Sequence, residues 1–104
     1  MTLPIDPDWS TATLGVRAAA PETLSRDHSL PIALTSSFTF ASAAQAASAF
    51  ADTDPDAFIY SRFTNPTVQA FEQRLAAMEG GESCVATASG MAAIFTLCMA
   101  VLKT

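Results

Sequence analysis

Hydrophobic side chains recur at helical spacing in the middle of the chain. Four of them fall at positions i, i+3, i+7 and i+10 of one helix face: Val68, Phe71, Leu75 and Met78. Polar side chains take the other, solvent side: Gln69, Glu72, Gln73 and Glu79. Asn65-Pro66 is a favoured helix start, and Gly80-Gly81 is a favoured helix end. The pattern therefore predicts an amphipathic helix between these two pairs.

A different pattern follows this helix. Ser83 to Ala88 is short and β-like, Ser89-Gly90 is a turn pair, and Met91 to Leu102 is apolar on every side. The order helix, strand, helix predicts an α/β protein with a mostly parallel sheet. One strand cannot form such a sheet, so we expect the sheet to be incomplete within this chain.

The upstream half has weaker patterns. We expect residues 1–10 to be a loose leader and Thr11 to Ala20 to form a short helix. The next segment, Leu30 to Phe40, is rich in β-forming residues but lacks a clean alternation of apolar and polar positions. We expect an extended arm there rather than a central strand, because the segment also contains a proline. Ser42 to Ala51 begins with a capping-box layout, Ser42 followed by Gln45, and predicts another short helix before a loop at 52–56.

The composition is unusually apolar for so short a chain. Of 104 residues, 50% are hydrophobic and only 14% are charged, although a small domain has much surface to cover. The excess indicates apolar surface that contacts another part of a larger body. The net charge is −5 and the five basic residues form no patch, which argues against a nucleic-acid partner.

The two cysteines and the apolar C-terminal stretch bear on location. Cys84 and Cys98 show no framework or metal spacing, so free, buried thiols in a reducing, cytoplasmic setting are favoured over a disulfide. Cys84 to Leu102 is uncharged, but Ser89-Gly90 divides it and the remainder is too short to cross a bilayer. We therefore expect a buried core helix and no membrane partner, and the N-terminus shows no signal-peptide layout.

The turn at Ser89, Gly90 and Met91 is a candidate anion site. The first N–H groups of a helix have no helical acceptor, and the helix dipole favours negative charge, so a phosphate is the natural ligand. Gly90 has no Cβ to keep a ligand away from the backbone. The alternative is structural: Ser89 is then only a helix cap and Gly90 only a turn residue.

A second candidate is the loop cluster of Tyr60, Ser61 and Arg62. An arginine can hold a phosphate through two hydrogen bonds, and a tyrosine can add a third. The alternative is a solvated arginine beside a half-buried tyrosine. His28 has no neighbouring ligand group, so no metal site and no Ser-His-Asp set are expected.

Taken in order, these motifs resemble one enzyme family. Tyr60 to Thr67 (YSRFTNPT), Leu75 to Gly81 (LAAMEGG) and Ala86 to Ala93 (ATASGMAA) resemble the Cys/Met-metabolism, or trans-sulfuration, family of enzymes that depend on pyridoxal 5'-phosphate (PLP). The resemblance spans about Leu30 to Leu102. Within the family the wording looks closest to the O-succinylhomoserine sulfhydrylases, and cystathionine γ-synthase and methionine γ-lyase stay open as alternatives of the same family.

The resemblance implies a fold and a set of roles. The chain would be the N-terminal portion of a fold-type-I PLP-dependent transferase, with an aspartate-aminotransferase-like large domain. Residues 1–63 would form an arm and dimer-interface segment, and residues 64–104 the truncated start of the PLP-binding α/β domain. Ser89, Gly90 and Met91 would bind the cofactor phosphate, and Tyr60 and Arg62 would reach the phosphate held by a neighbouring subunit of a dimer of dimers.

The implied activity makes homocysteine from an activated homoserine ester and sulfide, a step of methionine biosynthesis. This chain supplies no catalytic residue to that reaction. Lys103 follows an apolar helix and has a hydroxyl neighbour on one side only, Thr104, so it does not match the family's Schiff-base lysine, which would lie beyond Thr104. Two other interpretations stay open, a non-catalytic interaction fragment and a degenerate remnant.

Overall fold

The structure, a computed structural model, describes residues 5–20, 23–54 and 56–102. These residues contain four helices: α1 (Thr11–Arg17), α2 (Ala43–Phe50), α3 (Pro66–Glu79) and α4 (Gly90–Val101). The segments between them are turns and extended chain. Over the same residues, the β-pairing is one isolated antiparallel bridge, between Ser37 and Tyr60.

Helix α3 has the ends that its sequence predicts. The Asn65 side chain accepts from the Thr67 N–H, Pro66 occupies the first helical position, and Gly80 adopts the left-handed conformation (φ 67°) just beyond the end. Its buried residues, however, are Ala70 and Ala76, while much of the apolar stripe is exposed.

Helix α1 packs against α3. The Arg74 Nε donates to the Ala18 carbonyl oxygen at 2.9 Å, and a Cβ at Gly15 would lie 3.4 Å from the Met78 sulfur. The predicted helix to Ala20 is too long, because α1 ends at Arg17. Ala18 leaves the helix in an extended conformation and buried Ala19 has a positive φ of 56°, so the chain turns to meet α3.

Helix α2 also begins as predicted. The Ser42 Oγ accepts from the Gln45 N–H at 3.1 Å, and the Gln45 Oε1 accepts in return from the Ala41 N–H at 2.7 Å. The return bond of a capping box normally goes to the cap residue, so here it reaches one residue further upstream. Ala49 is the buried residue of this helix.

The segment from Leu30 to Phe40 is extended, as predicted, and lies along the turn that precedes α3. The Phe38 N–H donates to the Ile59 carbonyl at 3.2 Å, and the Ser61 N–H donates to the Ser36 carbonyl at 2.9 Å. We call residues 30–40 the arm. Its backbone is tied to the loop that carries Tyr60 and Arg62.

The strand predicted for Ser83 to Ala88 is not formed within the described residues. The chain is extended there, but the hydrogen bond described for its backbone goes to a side chain and not to another strand: the Ala86 N–H donates to the Glu72 Oε1 at 2.7 Å. The sheet is therefore not confirmed, since a strand requires a neighbouring strand. Placing Glu72 on the solvent side was wrong, because its carboxylate faces this segment.

The described residues have very little core. Five alanines are the buried hydrophobic residues, and no large side chain is fully buried. The accessible surface is 8279 Å², about half as much again as the roughly 5,600 Å² expected of a folded monomer of this size. The radius of gyration is 15.8 Å, against about 13 Å for a compact domain of 100 residues. The chain leaves apolar surface without a partner, as its composition indicates.

Helix α4 is the clearest example. None of its residues is buried, although its sequence predicts a core helix. Cys98, on this helix, is exposed and Cys84 is half-buried; both are free, so the predicted burial of the thiols is wrong for Cys98. In the part of the chain that the structure describes, no helix is long and apolar enough to cross a membrane.

Candidate functional site

The first turn of α4 is open toward solvent. The Ser89 Oγ accepts from the Ala92 N–H at 3.2 Å, and the Ser89 carbonyl accepts from the Ala93 N–H at 3.1 Å. The N–H groups of Gly90 and Met91 precede these donors, and helix geometry provides no carbonyl for them. Two backbone donors therefore point out of the helix at its positive end.

The turn before α4 is held by its own side chains. The Thr87 hydroxyl donates to the Ser89 carbonyl at 2.9 Å, and Ser89 itself is extended. Because the Ser89 Oγ accepts from Ala92, its own hydrogen is free to donate to a ligand. A ligand at this point would meet two amides and one hydroxyl.

Gly90 adds room to this turn. A Cβ placed on Gly90 meets no atom within 4 Å, and Gly90 is the first residue of the helix rather than a residue with positive φ. Neither packing inside the described residues nor backbone geometry requires glycine here. The missing side chain at Gly90 therefore leaves this turn open to solvent.

Tyr60 and Arg62 form the second cluster. The Arg62 guanidinium carbon lies 5.2 Å from the centre of the Tyr60 ring and 5.5 Å from that of Phe63, a cation–π arrangement. The two rings meet edge to face at 6.2 Å. Stacking reduces the rotational freedom of the arginine while its hydrogen-bond donors stay available.

This cluster borders a groove of about 400 Å³ between the arm and α2. Aromatic side chains make up most of its walls, which are formed by Ser37, Phe38, Phe40, Phe50, Ile59, Tyr60, Arg62 and Phe63. Arg62 also lines a second groove, of about 260 Å³, together with Val85 and Ala86. Because Arg62 lines both grooves, its guanidinium can contact a ligand bound in either one.

The structure brings the predicted residues together in two separate groups. Tyr60 and Arg62 are stacked, and Ser89, Gly90 and Met91 are consecutive around the start of α4. Neither groove at Arg62 includes a residue of the second group. The prediction that the two groups meet between subunits stays a prediction.

Sequence reasoning missed a group of polar side chains beneath the Tyr60–Arg62 loop. Asn65 is identified from sequence only as a helix cap, yet its amide also donates to Ser61 and to the carbonyl of Ala33. The Asn-Pro pair signals the cap, but nothing local signals partners 32 residues away. Glu72 was missed for the same reason.

Three comparisons with known proteins bear on this geometry. The family model described as "Cys/Met metabolism PLP-dependent enzyme" matches residues 12–104. The chain belongs to this family. PLP is therefore the cofactor of the family to which this chain belongs.

Relatives within the family carry more than one activity. The chain is 51% identical over 89 residues to O-succinylhomoserine sulfhydrylase of Pseudomonas aeruginosa, covering 86% of this chain and 22% of the relative. It is 39% identical over 95 residues to L-methionine γ-lyase of Fusobacterium nucleatum subsp. polymorphum, covering 91% of this chain and 24% of that enzyme. The chain thus spans about a fifth to a quarter of the length of these relatives.

A solved structure resembles this chain closely. It is a crystal structure of a putative O-acetylhomoserine (thiol)-lyase from Campylobacter jejuni that contains an N'-pyridoxyl-lysine-5'-monophosphate residue. The TM-score is 0.82 at 36% identity, covering 88% of this chain and 22% of that one. The described residues therefore have the fold of the corresponding part of a PLP-dependent lyase.

Proposed function

We propose that this chain is the N-terminal portion of a fold-type-I, PLP-dependent O-succinylhomoserine sulfhydrylase. Such an enzyme makes homocysteine from O-succinylhomoserine and sulfide, in the cytoplasm, as a step of methionine biosynthesis. Residues 1–63 are the arm and interface segment, and residues 64–104 begin the PLP-binding domain. The observation that carries the proposal is the open first turn of α4, with two unpaired amides, inside a chain that matches a PLP-dependent family over residues 12–104.

The proposal assigns phosphate binding to five residues. Gly90 and Met91 donate through their backbone amides, and Ser89 donates through its hydroxyl. Tyr60 and Arg62 reach the same phosphate from a neighbouring subunit, and two such dimers form a tetramer. What supports this sharing is that neither groove lined by Arg62 includes Ser89, Gly90 or Met91.

Bound PLP withdraws electrons from the substrate amino acid. The residues of this chain anchor and orient that cofactor; they do not transfer protons. The anchoring groups are an aligned set of donors at a positive helix end and a stacked guanidinium, which together offset the phosphate charge. The lysine and the remaining active-site groups are assigned to sequence beyond Thr104.

A second activity within the same family has specific support. The relative at 39% identity is an L-methionine γ-lyase, and the matched solved structure is a putative O-acetylhomoserine (thiol)-lyase. Elimination or an acetyl ester would therefore use the same phosphate site. Steady-state assays of the complete protein with succinyl and acetyl homoserine plus sulfide, and with methionine alone, separate the three activities.

The experiment that tests the proposal begins with the gene. An in-frame continuation beyond Thr104 that contains a lysine flanked by Ser or Thr is expected, whereas a stop codon there overturns the enzyme assignment. The complete protein is then purified and its PLP content is measured by absorbance before and after dialysis.

Arg62→Ala is the decisive variant. It removes a charged hydrogen-bond donor, which corresponds to a loss of about 1.5–3 kcal/mol, or about 10- to 150-fold in PLP affinity. Arg17→Ala is the matched control, since Arg17 is an exposed arginine in the last turn of α1. PLP affinity equal to wild type in Arg62→Ala overturns the role assigned to Arg62.

A further inference from the structure

We propose that Asn65 is a positioning residue for the phosphate site, acting through the loop that carries Tyr60 and Arg62. The inference rests on the proposed function and adds a residue to it. Asn65 is 8% exposed, and it is the buried polar side chain of the described residues. Burying an amide is unfavourable unless its hydrogen bonds are satisfied, and here each is used.

The side chain of Asn65 does more than cap α3. Its Oδ1 accepts from the Thr67 N–H at 2.9 Å, which is all that a cap requires. Its Nδ2 donates to the Ala33 carbonyl at 3.1 Å and to the Ser61 Oγ at 2.9 Å. Serine, threonine and aspartate cap helices about as well, but they lack this pair of donors.

The bonds of Asn65 lead to the arm. The Thr67 Oγ1 accepts from the Ala33 N–H at 2.9 Å, so both backbone groups of Ala33 bond to side chains at the start of α3. In a sheet these groups would bond to a neighbouring strand. Here the Asn65 and Thr67 side chains take the place of that strand and hold the arm on the helix.

The bonds of Asn65 also lead to the loop. The Ser61 hydroxyl accepts from Asn65 and donates to the Thr35 carbonyl, and the Ser61 N–H donates to the Ser36 carbonyl at 2.9 Å. Ser61 stands between Tyr60 and Arg62. Because the backbone and side chain of Ser61 are held in place, the directions in which the Tyr60 and Arg62 side chains leave the backbone are also fixed.

In the described part of the chain, hydrogen bonds hold this loop through its backbone and through Ser61, and not through the two phosphate-binding side chains. Within residues 5–20, 23–54 and 56–102, the side chains of Tyr60 and Arg62 make no hydrogen bond. Their contacts are ring faces and edges, which restrain orientation weakly. The placement of the guanidinium then depends on the backbone of the loop, and through Ser61 on Asn65.

Asn65→Asp isolates this function in the complete protein. Aspartate keeps the shape and the cap acceptor but removes both donors, and it places a carboxylate oxygen against the Ala33 carbonyl. We expect unchanged helix content by circular dichroism and faster amide exchange at residues 33–37. PLP affinity should fall about tenfold, the loss that one or two hydrogen bonds produce.

A double-mutant cycle separates positioning from a general structural role. Once Arg62→Ala has removed the guanidinium, Asn65→Asp should lower PLP affinity by less than about twofold, because little is left to position. Ser61→Ala, which breaks the same chain of bonds without touching the cap, should behave as Asn65→Asp does. Ser42→Ala removes the α2 cap, whose bond is local, and should leave PLP affinity unchanged.

The outcomes distinguish the two proposals. Wild-type PLP affinity in Asn65→Asp and Ser61→Ala, with a loss in Arg62→Ala, overturns the role of Asn65 and leaves the proposed function standing. Additive losses in the double mutant also overturn it, because they indicate general destabilisation. No loss in Arg62→Ala itself overturns the role assigned to Arg62 under the proposed function, and with it the role of Asn65. If Asn65→Asp fails to accumulate, Ser61→Ala decides the question by the same cycle.

Discussion

Helix α4 exposes apolar surface. A charge placed on that surface should have opposite effects on the isolated chain and on the complete protein. Six side chains of α4 are 57–73% exposed: Met91, Ile94, Phe95, Leu97, Met99 and Val101. Full burial of a large apolar side chain contributes about 1.5–3 kcal/mol, so each has roughly 1–2 kcal/mol still to gain. The helix as a whole has roughly 10 kcal/mol, comparable with the entire stability of a domain.

The perturbation is Leu97→Glu, on a side chain that is 62% exposed in this chain. In the isolated chain the charge interrupts a surface that otherwise drives association, so the variant should be more soluble and less associated. In the complete protein the same charge would be buried without a partner, which costs several kcal/mol and should abolish soluble accumulation. The matched control is Leu24→Glu, since Leu24 is fully exposed in a turn.

Sedimentation velocity over a range of concentrations measures association of the isolated chain and its variants. Soluble yield and thermal midpoint measure stability of the complete protein. A wild-type isolated chain that remains a monodisperse, cooperatively unfolding monomer would refute the reasoning. Equal thermal midpoints for the Leu97 and Leu24 variants of the complete protein would refute it independently.

Two further predictions concern contacts that the structure reveals. Glu72→Ala removes the acceptor of the Ala86 N–H and should lower the free energy of unfolding of the complete protein by about 1–3 kcal/mol. Glu72→Gln keeps an acceptor and should lower it less. Equal losses in urea unfolding would show that the bond is unimportant. Ala19→Gly relieves a positive φ and should raise the free energy of unfolding by up to about 1 kcal/mol, while Ala18→Gly, at φ −62°, should lower it by about 0.5–1 kcal/mol. Urea unfolding compares the two glycine variants, and a loss of stability in both would contradict the second prediction.

Local signals predicted the ends of α3 well, but not the end of α1. The Asn65 cap, the proline after it and the left-handed Gly80 are all present in α3, and Ser89 caps α4, the structural role that the sequence offered as an alternative. Each of these helix caps and ends depends on one residue and its next few neighbours along the chain, so a single sequence is enough to predict it. The open first turn of α4 follows from the same local geometry.

Features that depend on distant partners could not be predicted. Ser83 to Ala88 has the composition of a strand, but its partner strand is absent from the described residues. The solvent placement of Glu72 failed because Ala86, 14 residues away, is the group that its carboxylate meets. The bonds from Asn65 to the arm depend on Ala33, and no spacing rule connects two such residues.

The central claim is that the start of α4 holds the phosphate of PLP and that Arg62 of a neighbouring subunit completes the site. A crystal structure of the complete protein with PLP tests it most directly. The account predicts phosphate oxygens about 2.7–3.2 Å from the Gly90 and Met91 amide nitrogens, with the Arg62 guanidinium of the neighbouring subunit on the same phosphate. A phosphate bound elsewhere, with that turn packed shut and Arg62 in bulk water in every subunit, would contradict it.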